Sequence, residues 1–345
     1  VRAKSDVELV AENSGSVVAV TIGFAASGKT GAGSGFSIAA AGAGSINQLS
    51  GRVVAEILNS SDVRAEDGGA IHLKAKDEAD IDAIAGGAAA SVSGSSSIAG
   101  SAQLGASFAV NQITSDTKAR IDGSSVETSK ELLLESQTNS DILGVAIGFS
   151  AGGSSGSAGA FQISAAGAYI ENDIRGSSIA EILNSPKVDA AGQITLDARE
   201  KATFVSLAGG ATGGGAGGAS GGAAGAVGAG VTINRLGKTV RASVDDSTVT
   251  RAAGLALDAV QESEVIAASI GFGVSGAGGS GGGLALSGAG AISVNEVSNV
   301  TEALVQNGSH LTITTAGDVS LSARDELRLV AVAGAVAASG AGGAG

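Results

Sequence analysis

The 345-residue chain contains no cysteine, methionine or tryptophan, one proline, one tyrosine and seven phenylalanines. Without cysteine it has no disulfide framework, thiol nucleophile or cysteine zinc site. With 2% aromatics, few side chains are large enough to fill a thick interior. Positive charge is scarce as well. Twenty Lys and Arg stand against 33 Asp and Glu, a net charge of −13. A surface of that sign repels phosphate, so nucleic acid is not an expected partner. No stretch has the 18 or more uninterrupted apolar residues of a spanning helix, so no membrane span is expected. Val1 opens no signal peptide and is not an initiator Met, so the chain reads as an excerpt of a processed or longer protein.

What is abundant is glycine, 57 residues, well over twice the average usage of about 7%. Hydrophobic residues make up 43% and are mostly Ala, Val, Ile and Leu. This is not the low-hydrophobicity, high-charge signature of disorder. The single proline and the lack of a glycine triplet exclude collagen. Small side chains in thin, closely approaching layers are expected instead.

The chain repeats. An Asn preceded by alternating small and apolar residues recurs at Asn47, Asn111, Asn172, Asn234 and Asn295, with successive spacings of 64, 61, 62 and 61. Eight residues after each comes an alanine: Ala55, Ala119, Ala180, Ala242 and Ala303. An apolar-x-Leu-x-small pentad follows, as in IHLKA from Ile71 and ITLDA from Ile194. Ten residues after each pentad starts lies an apolar position, and from there to the next Asn the count is 30 in all five complete cases. The chain is therefore read as one continuous array: a partial repeat 1–46, then 47–110, 111–171, 172–233 and 234–294, and a partial repeat 295–345. Length varies only between the Ala-x-Ile and Ile-x-Leu runs, which marks those segments as turns. The Gly/Ala/Ser tracts resemble flexible linkers in composition, but a linker would drift in length and these do not.

Period-2 alternation dominates, and helical periodicity and helix caps are absent, so the fold class is all-β. Gly69, Gly192, Gly254 and Gly317 precede the Leu-containing runs and are read as turn residues suited to positive φ. Units that cannot bury their own faces must stack on their neighbours, the logic of a solenoid. Runs such as SPKVDAAGQITLDA and STVTRAAGLALDA resemble the coils of the filamentous-haemagglutinin type of right-handed parallel β-helix. Their alternation with stretches such as SIGFGVSGAGGSGGG is similar to the Ala/Gly-rich tandem repeats of very large bacterial surface adhesins and leukotoxin-like exoproteins. The resemblance spans the chain and carries no catalytic residue with it.

At about 20 residues per coil each unit would be three coils, and at a rise of about 4.8 Å the chain would form a rod about 80 Å long. The recurring Asn would then lie three coils apart, out of mutual contact, each serving a local turn. The Ala eight residues on is read as an inward position that admits only a methyl. A competing geometry is one long antiparallel hairpin per unit, Ile71 to Val92 and back from Ile98 to Ile121, joined at the SGSSS turn.

Gly23 to Thr30, GFAASGKT, satisfies the phosphate-loop pattern G-x-x-x-x-G-K-[ST]. Such a loop needs a helix N-terminus after it, and the sequence that follows, GAGSGFSIAAAGAG, forms none. The motif reads as a coincidence in a Gly-rich repeat, with nucleotide binding through Lys29 as the remote alternative. Calcium nonapeptides of the G-G-x-G-x-D type are missing. The acids Asp62, Glu66, Asp67, Asp245 and Asp246 lie in turns and read as a solvated face, with weak surface Ca²⁺ binding as the other reading. His72 and His310 occupy different repeat positions, so no triad or zinc site is formed. Asn59, Asn299 and Asn307 fit N-x-[ST].

No catalytic, cofactor-binding or metal-ligating residue is expected, and no cofactor. The expectation is a non-enzymatic structural repeat of a large extracellular bacterial adhesin or surface fibre. Its partners would be neighbouring repeats, other copies of itself end-to-end or side-by-side, and a host or neighbouring-cell surface. The alternative is a module that binds a ligand directly through its flat faces, for which the Thr312–Thr315 run TITT is the one threonine cluster.

Overall fold

A computed structural model describes residues 1–314 and 317–343. Thr315 of the TITT run and the terminal Gly345 lie outside them. The described residues form 18 strands and no helix. The strands recur as a short one followed by two long ones. The first coil holds β1 (Arg2–Ala3), β2 (Val7–Gly31) and β3 (Gly35–Leu58). The second holds β4 (Asp62–Ala65), β5 (Ile71–Ser95) and β6 (Ile98–Asp122), and the third β7 (Ser125–Thr128), β8 (Leu132–Gly156) and β9 (Gly159–Leu183). The fourth consists of β10 (Lys187–Ala190), β11 (Gln193–Gly218) and β12 (Gly222–Asp245). In the fifth, β13 (Thr248–Ala252) and β14 (Gly254–Gly279) precede β15 (Gly283–Val297) and β16 (Val300–Gln306), which share one long course. The sixth ends with β17 (His310–Ile313) and β18 (Val319–Gly343).

Each strand pairs in parallel with its counterpart one coil away, giving three six-stranded sheets. The short sheet runs β1-β4-β7-β10-β13-β17, the first long sheet β2-β5-β8-β11-β14-β18 and the second β3-β6-β9-β12-β15, with β16 also on β12. The fold is thus a parallel β-solenoid. One repeat unit is one coil, where three short coils were expected. Long strands of about 25 residues span about 80 Å at about 3.3 Å per residue, whereas six coils at about 4.8 Å rise only about 29 Å. The long dimension lies across the axis, so this piece is a flat slab and not the elongated rod expected.

The hairpin alternative is corrected in the same way. The chain does reverse between β5 and β6 close to the SGSSS turn, but those strands belong to different sheets and meet through side chains. Their ladders go to neighbouring coils. Gly69, Gly192, Gly254 and Gly317 do not adopt positive φ, which falls instead on residues such as Gly68, Gly123, Asn59 and Asp67. At Gly69 the constraint is proximity: a Cβ would overlap the carbonyl oxygen of Ser5 in the previous coil.

Side chains alternate in and out along every long strand, and the interior changes in steps along it. Next to the short sheet, three walls enclose aliphatic side chains such as Ile71, Leu73, Ile121, Val126, Leu132, Leu196 and Val249. Further out, two walls enclose Ile81, Ile113, Ile142, Ile170 and Phe204. Towards the distal turns the buried apolar filling is alanine, among it Ala99, Ala160, Ala216, Ala224 and Ala277. The layer thins as the sequence turns to Gly, Ala and Ser.

Candidate functional site

The five recurring Asn form one column on the second long sheet, in register across β3, β6, β9, β12 and β15. They touch directly. Asn47 Nδ2 donates to Asn111 Oδ1 at 2.8 Å, Asn111 to Asn172 at 2.8 Å, Asn172 to Asn234 at 2.9 Å and Asn234 to Asn295 at 2.7 Å. This corrects the expected isolated turn role: the Asn lie mid-strand and successive coils stack them. Asn111 and Asn172 have no exposed surface. Each buried amide therefore satisfies a neighbour, as a buried polar group must. Opposite the ladder, the first long sheet carries the small column Ala83, Gly144, Ser206 and Ala267. Ser206 Oγ receives a bond from Asn172 Nδ2 at 3.1 Å and donates to Asn234 Oδ1 at 2.8 Å.

The alanines Ala55, Ala119, Ala180, Ala242 and Ala303 form a second in-register column. They face the aliphatic interior, where the first four are buried and Ala303 packs at its edge.

A further polar column separates the two aliphatic zones: Asn13, Asp77, Thr138, Glu200 and Gln261 follow one another in register on the first long sheet. Asn13 Nδ2 donates to Asp77 Oδ1 at 2.7 Å. Glu200 meets Lys238 Nζ from the second long sheet at 3.0 Å, both side chains fully buried. Burial drives the Glu200 carboxyl up to about 7 against the opposing pull of Lys238. One coil on, the places of this ion pair are taken by the neutral Gln261 and by Asn299, whose Nδ2 lies 3.5 Å from Ser263 Oγ. The column does the same packing job with or without charge.

Outside, charge is confined to the half of the coil nearest the short sheet. There, ion pairs join adjacent coils, as Arg120–Glu56 at 2.7 Å, Arg241–Glu302 at 2.6 Å, Arg251–Asp189 at 2.6 Å and Lys187–Glu127 at 2.9 Å. The distal half is a blade almost without charge. Residues 83–115, 142–170, 202–234 and 265–295 contain no Asp, Glu, Lys or Arg, and 13–51 contain only Lys29. Both outer faces of this blade expose large apolar side chains, among them Ile22, Phe24, Ile147, Phe149, Ile163 and Leu286.

The blade's thinness rests on glycine. Gly23, Gly87, Gly148, Gly210 and Gly271 share one inward column of the first long sheet. A Cβ on any of them would overlap a backbone oxygen of the facing sheet, that of Gly42, Ala106, Gly167, Ala229 or Gly290 respectively. Gln103 and Gln162 fill a wider spot nearby, Gln162 Nε2 donating to Gln103 Oε1 at 2.8 Å.

The phosphate-loop lookalike Gly23–Thr30 is straight strand within β2, with Lys29 exposed and followed by the turn into β3. No anion-cradling loop is built there. His72 is partly buried with Nε2 3.4 Å from Glu131 Oε1, and His310 is exposed at the start of β17. For Asp62, Glu66, Asp67, Asp245 and Asp246, the only close cationic side chain among the described residues is Arg64, whose Nε lies 3.0 Å from Asp62. Asp67 and Asp246 are turn residues with positive φ, as are Asn59 and Asn307. Among the described residues no three His, Cys, Asp or Glu are grouped to hold a metal ion.

Two signals went unread in the sequence. One is the run of charge-free tracts. The other is an alternation between repeats: Ile22-Gly-Phe24, Ile147-Gly-Phe149 and Ile270-Gly-Phe272 in odd coils face Gly86-Gly-Ala88, Gly209-Gly-Ala211 and Gly334-Ala-Val336 in even ones. No protein-family model, curated protein or solved structure matches the chain.

Proposed function

We propose that the chain is a non-enzymatic structural repeat region of a large extracellular bacterial adhesin or surface fibre. The observation that carries this reading is where its polar chemistry goes. The recurring Asn bond each coil to the next, and the buried pair Glu200–Lys238 ties one long sheet to the other. A net charge of −13 favours solubility and mutual repulsion at long range.

The coil geometry refines the role. A solenoid that uses about 62 residues for a rise of about 4.8 Å is a poor way to gain length. It is an efficient way to build broad, flat faces. A ribbon that presents surface fits this arrangement better than a thin stalk, and the exposed apolar blade favours the companion reading of direct contact through the faces.

Antibodies raised against the repeats test the localisation. Labelling of intact cells of the source organism is expected, together with weaker attachment of cells in which the repeats have been deleted from the parent protein. Label that appears only after permeabilisation would overturn the proposal.

A further inference from the structure

The outer face of the first long sheet, on the blade, carries knobs and holes in alternate coils. Ile22, Ile147 and Ile270 stand in one outward column with Gly86, Gly209 and Gly334 between and after them. The three isoleucines are about half or more exposed, at 79%, 47% and 50%. Around the three glycines a Cβ would find nothing within 4 Å. These are open sockets. The neighbouring column repeats the pattern with Phe24, Phe149 and Phe272 against Ala88 and Ala211, and ends on the larger Val336 in the last coil.

The opposite face differs. There the Phe36 and Phe161 rings approach to a centroid distance of 5.6 Å, and they occupy the space that a Cβ on Gly100 would take. Phe108 likewise covers Gly44. There rings fill the hollows beside Gly100 and Gly44 while Gly167 stays open, so that face lacks the regular alternation of knob and socket from coil to coil.

We infer that a second copy of this chain docks on the outer face of the first long sheet, each copy's odd-coil knobs seating in the other's even-coil sockets. A two-fold axis along the strand direction, between the third and fourth coils, sets coil 1 against coil 6, coil 3 against coil 4 and coil 5 against coil 2. Strand position is preserved by that axis, so Ile22 meets Gly334, Ile147 meets Gly209 and Ile270 meets Gly86. With six coils every odd coil finds an even one, the self-complementarity that an isologous interface requires. Identical small and large side chains interdigitating between sheets is also the way dry sheet interfaces form. Nine strand positions across six strands cover about 850 Å², against about 800 Å² per partner in a standard stable interface. No charged side chain lies at positions 20–28 of β2 or at the aligned positions of the other coils, apart from Lys29 just beyond the edge of that patch, so no ion within it has to be desolvated. The pairing goes beyond the structural role proposed above and is tested separately from it.

Sedimentation velocity on the chain over a range of concentrations reads the outcome. A concentration-dependent dimer is expected. Gly86→Val with Gly209→Val fills two sockets that have free space around them, so the double variant, compared as monomer, unfolds no earlier than the parent while its dimer Kd rises at least tenfold. Gly167→Val, in equally open space on the opposite face, leaves the Kd unchanged. The inference is overturned if the parent chain stays monomeric into the millimolar range, if the double variant dimerises like the parent, or if Gly167→Val weakens association as much. A monomer that floats with phosphatidylcholine vesicles would also overturn it, assigning the face to lipid.

Discussion

A β-carbon on Gly87 would overlap the carbonyl oxygen of Ala106 on the facing sheet, while one on the adjacent Gly86 would meet nothing within 4 Å. Two neighbouring glycines therefore have opposite reasons to be there. Gly87→Ala must push the two sheets apart, an overpacking expected to cost about 1–3 kcal/mol. Gly86→Ala reduces the freedom of the unfolded chain without strain, and is expected to add about 0.4–1 kcal/mol. Urea unfolding of the two single variants checks the pair. Equal midpoints would mean that the sheets do not approach as closely as described.

Asn172 sits in the middle of the ladder, bonded to Asn111, Asn234 and Ser206. Asn172→Ala strands the buried Nδ2 of Asn111 and removes one of the two donors to Asn234 Oδ1, which keeps Ser206, at about 1–3 kcal/mol for the stranded group and a smaller loss for the other. Asn47, at the ladder's end, bonds only Asn111 along the ladder. Asn47→Ala should cost less than Asn172→Ala in the same denaturation assay. A ladder of independent, local roles would make the two equal.

The buried pair Glu200–Lys238 is expected to be dispensable as a pair and indispensable singly. Lys238→Ala strands a buried carboxylate and should lose about 3–5 kcal/mol. The double variant Glu200→Gln/Lys238→Asn installs the residue types of the next coil, Gln261 and Asn299, and should stay close to the parent or exceed it. Thermal and chemical unfolding of both variants decide between these outcomes.

The same pair predicts a pH dependence with a definite sign. Burial raises the Glu200 carboxyl from 4.5 to about 7, so between those values the folded chain holds a proton that the unfolded chain has lost. Stability from this group therefore falls as pH rises from about 4.5 to about 7, and levels off above. Unfolding free energies at pH 5 and pH 8 measure the drop. The double variant should lack this component, and a parent whose stability difference between the two is the same as the variant's would contradict the assignment.

Lys29 is an exposed strand residue in a segment that offers no cradle of backbone amides. Lys29→Ala is expected to leave nucleotide affinity unchanged, measured with a fluorescent ATP analogue. A saturable affinity that falls tenfold in the variant would revive a nucleotide site.

The repeat, its phase and the strand character were all legible in the sequence, because each is local or periodic. The unvarying separation between an apolar position such as Ile81 and the next Asn marked the Gly/Ala tracts as ordered. The size of the coil was not legible. Alternation shows that Ile71 to Val92 is strand, but an in-out pattern is the same whether its ladder partner lies a third of a repeat away or a whole one. The Asn ladder was misread for that reason alone, since a wrong coil length placed Asn111 and Asn172 out of reach.

The sequence by itself determined that this protein is a periodic, all-β, thin-layered chain without cysteine chemistry, because composition and period-2 patterning act through nearest neighbours. Only the tertiary structure decided that one repeat is one flattened coil, that Gly87 faces inward and Gly86 outward at a socket, and that Glu200 meets Lys238. Those are relations between residues on different sheets, and they exist only once backbone hydrogen bonds have chosen which strands lie side by side.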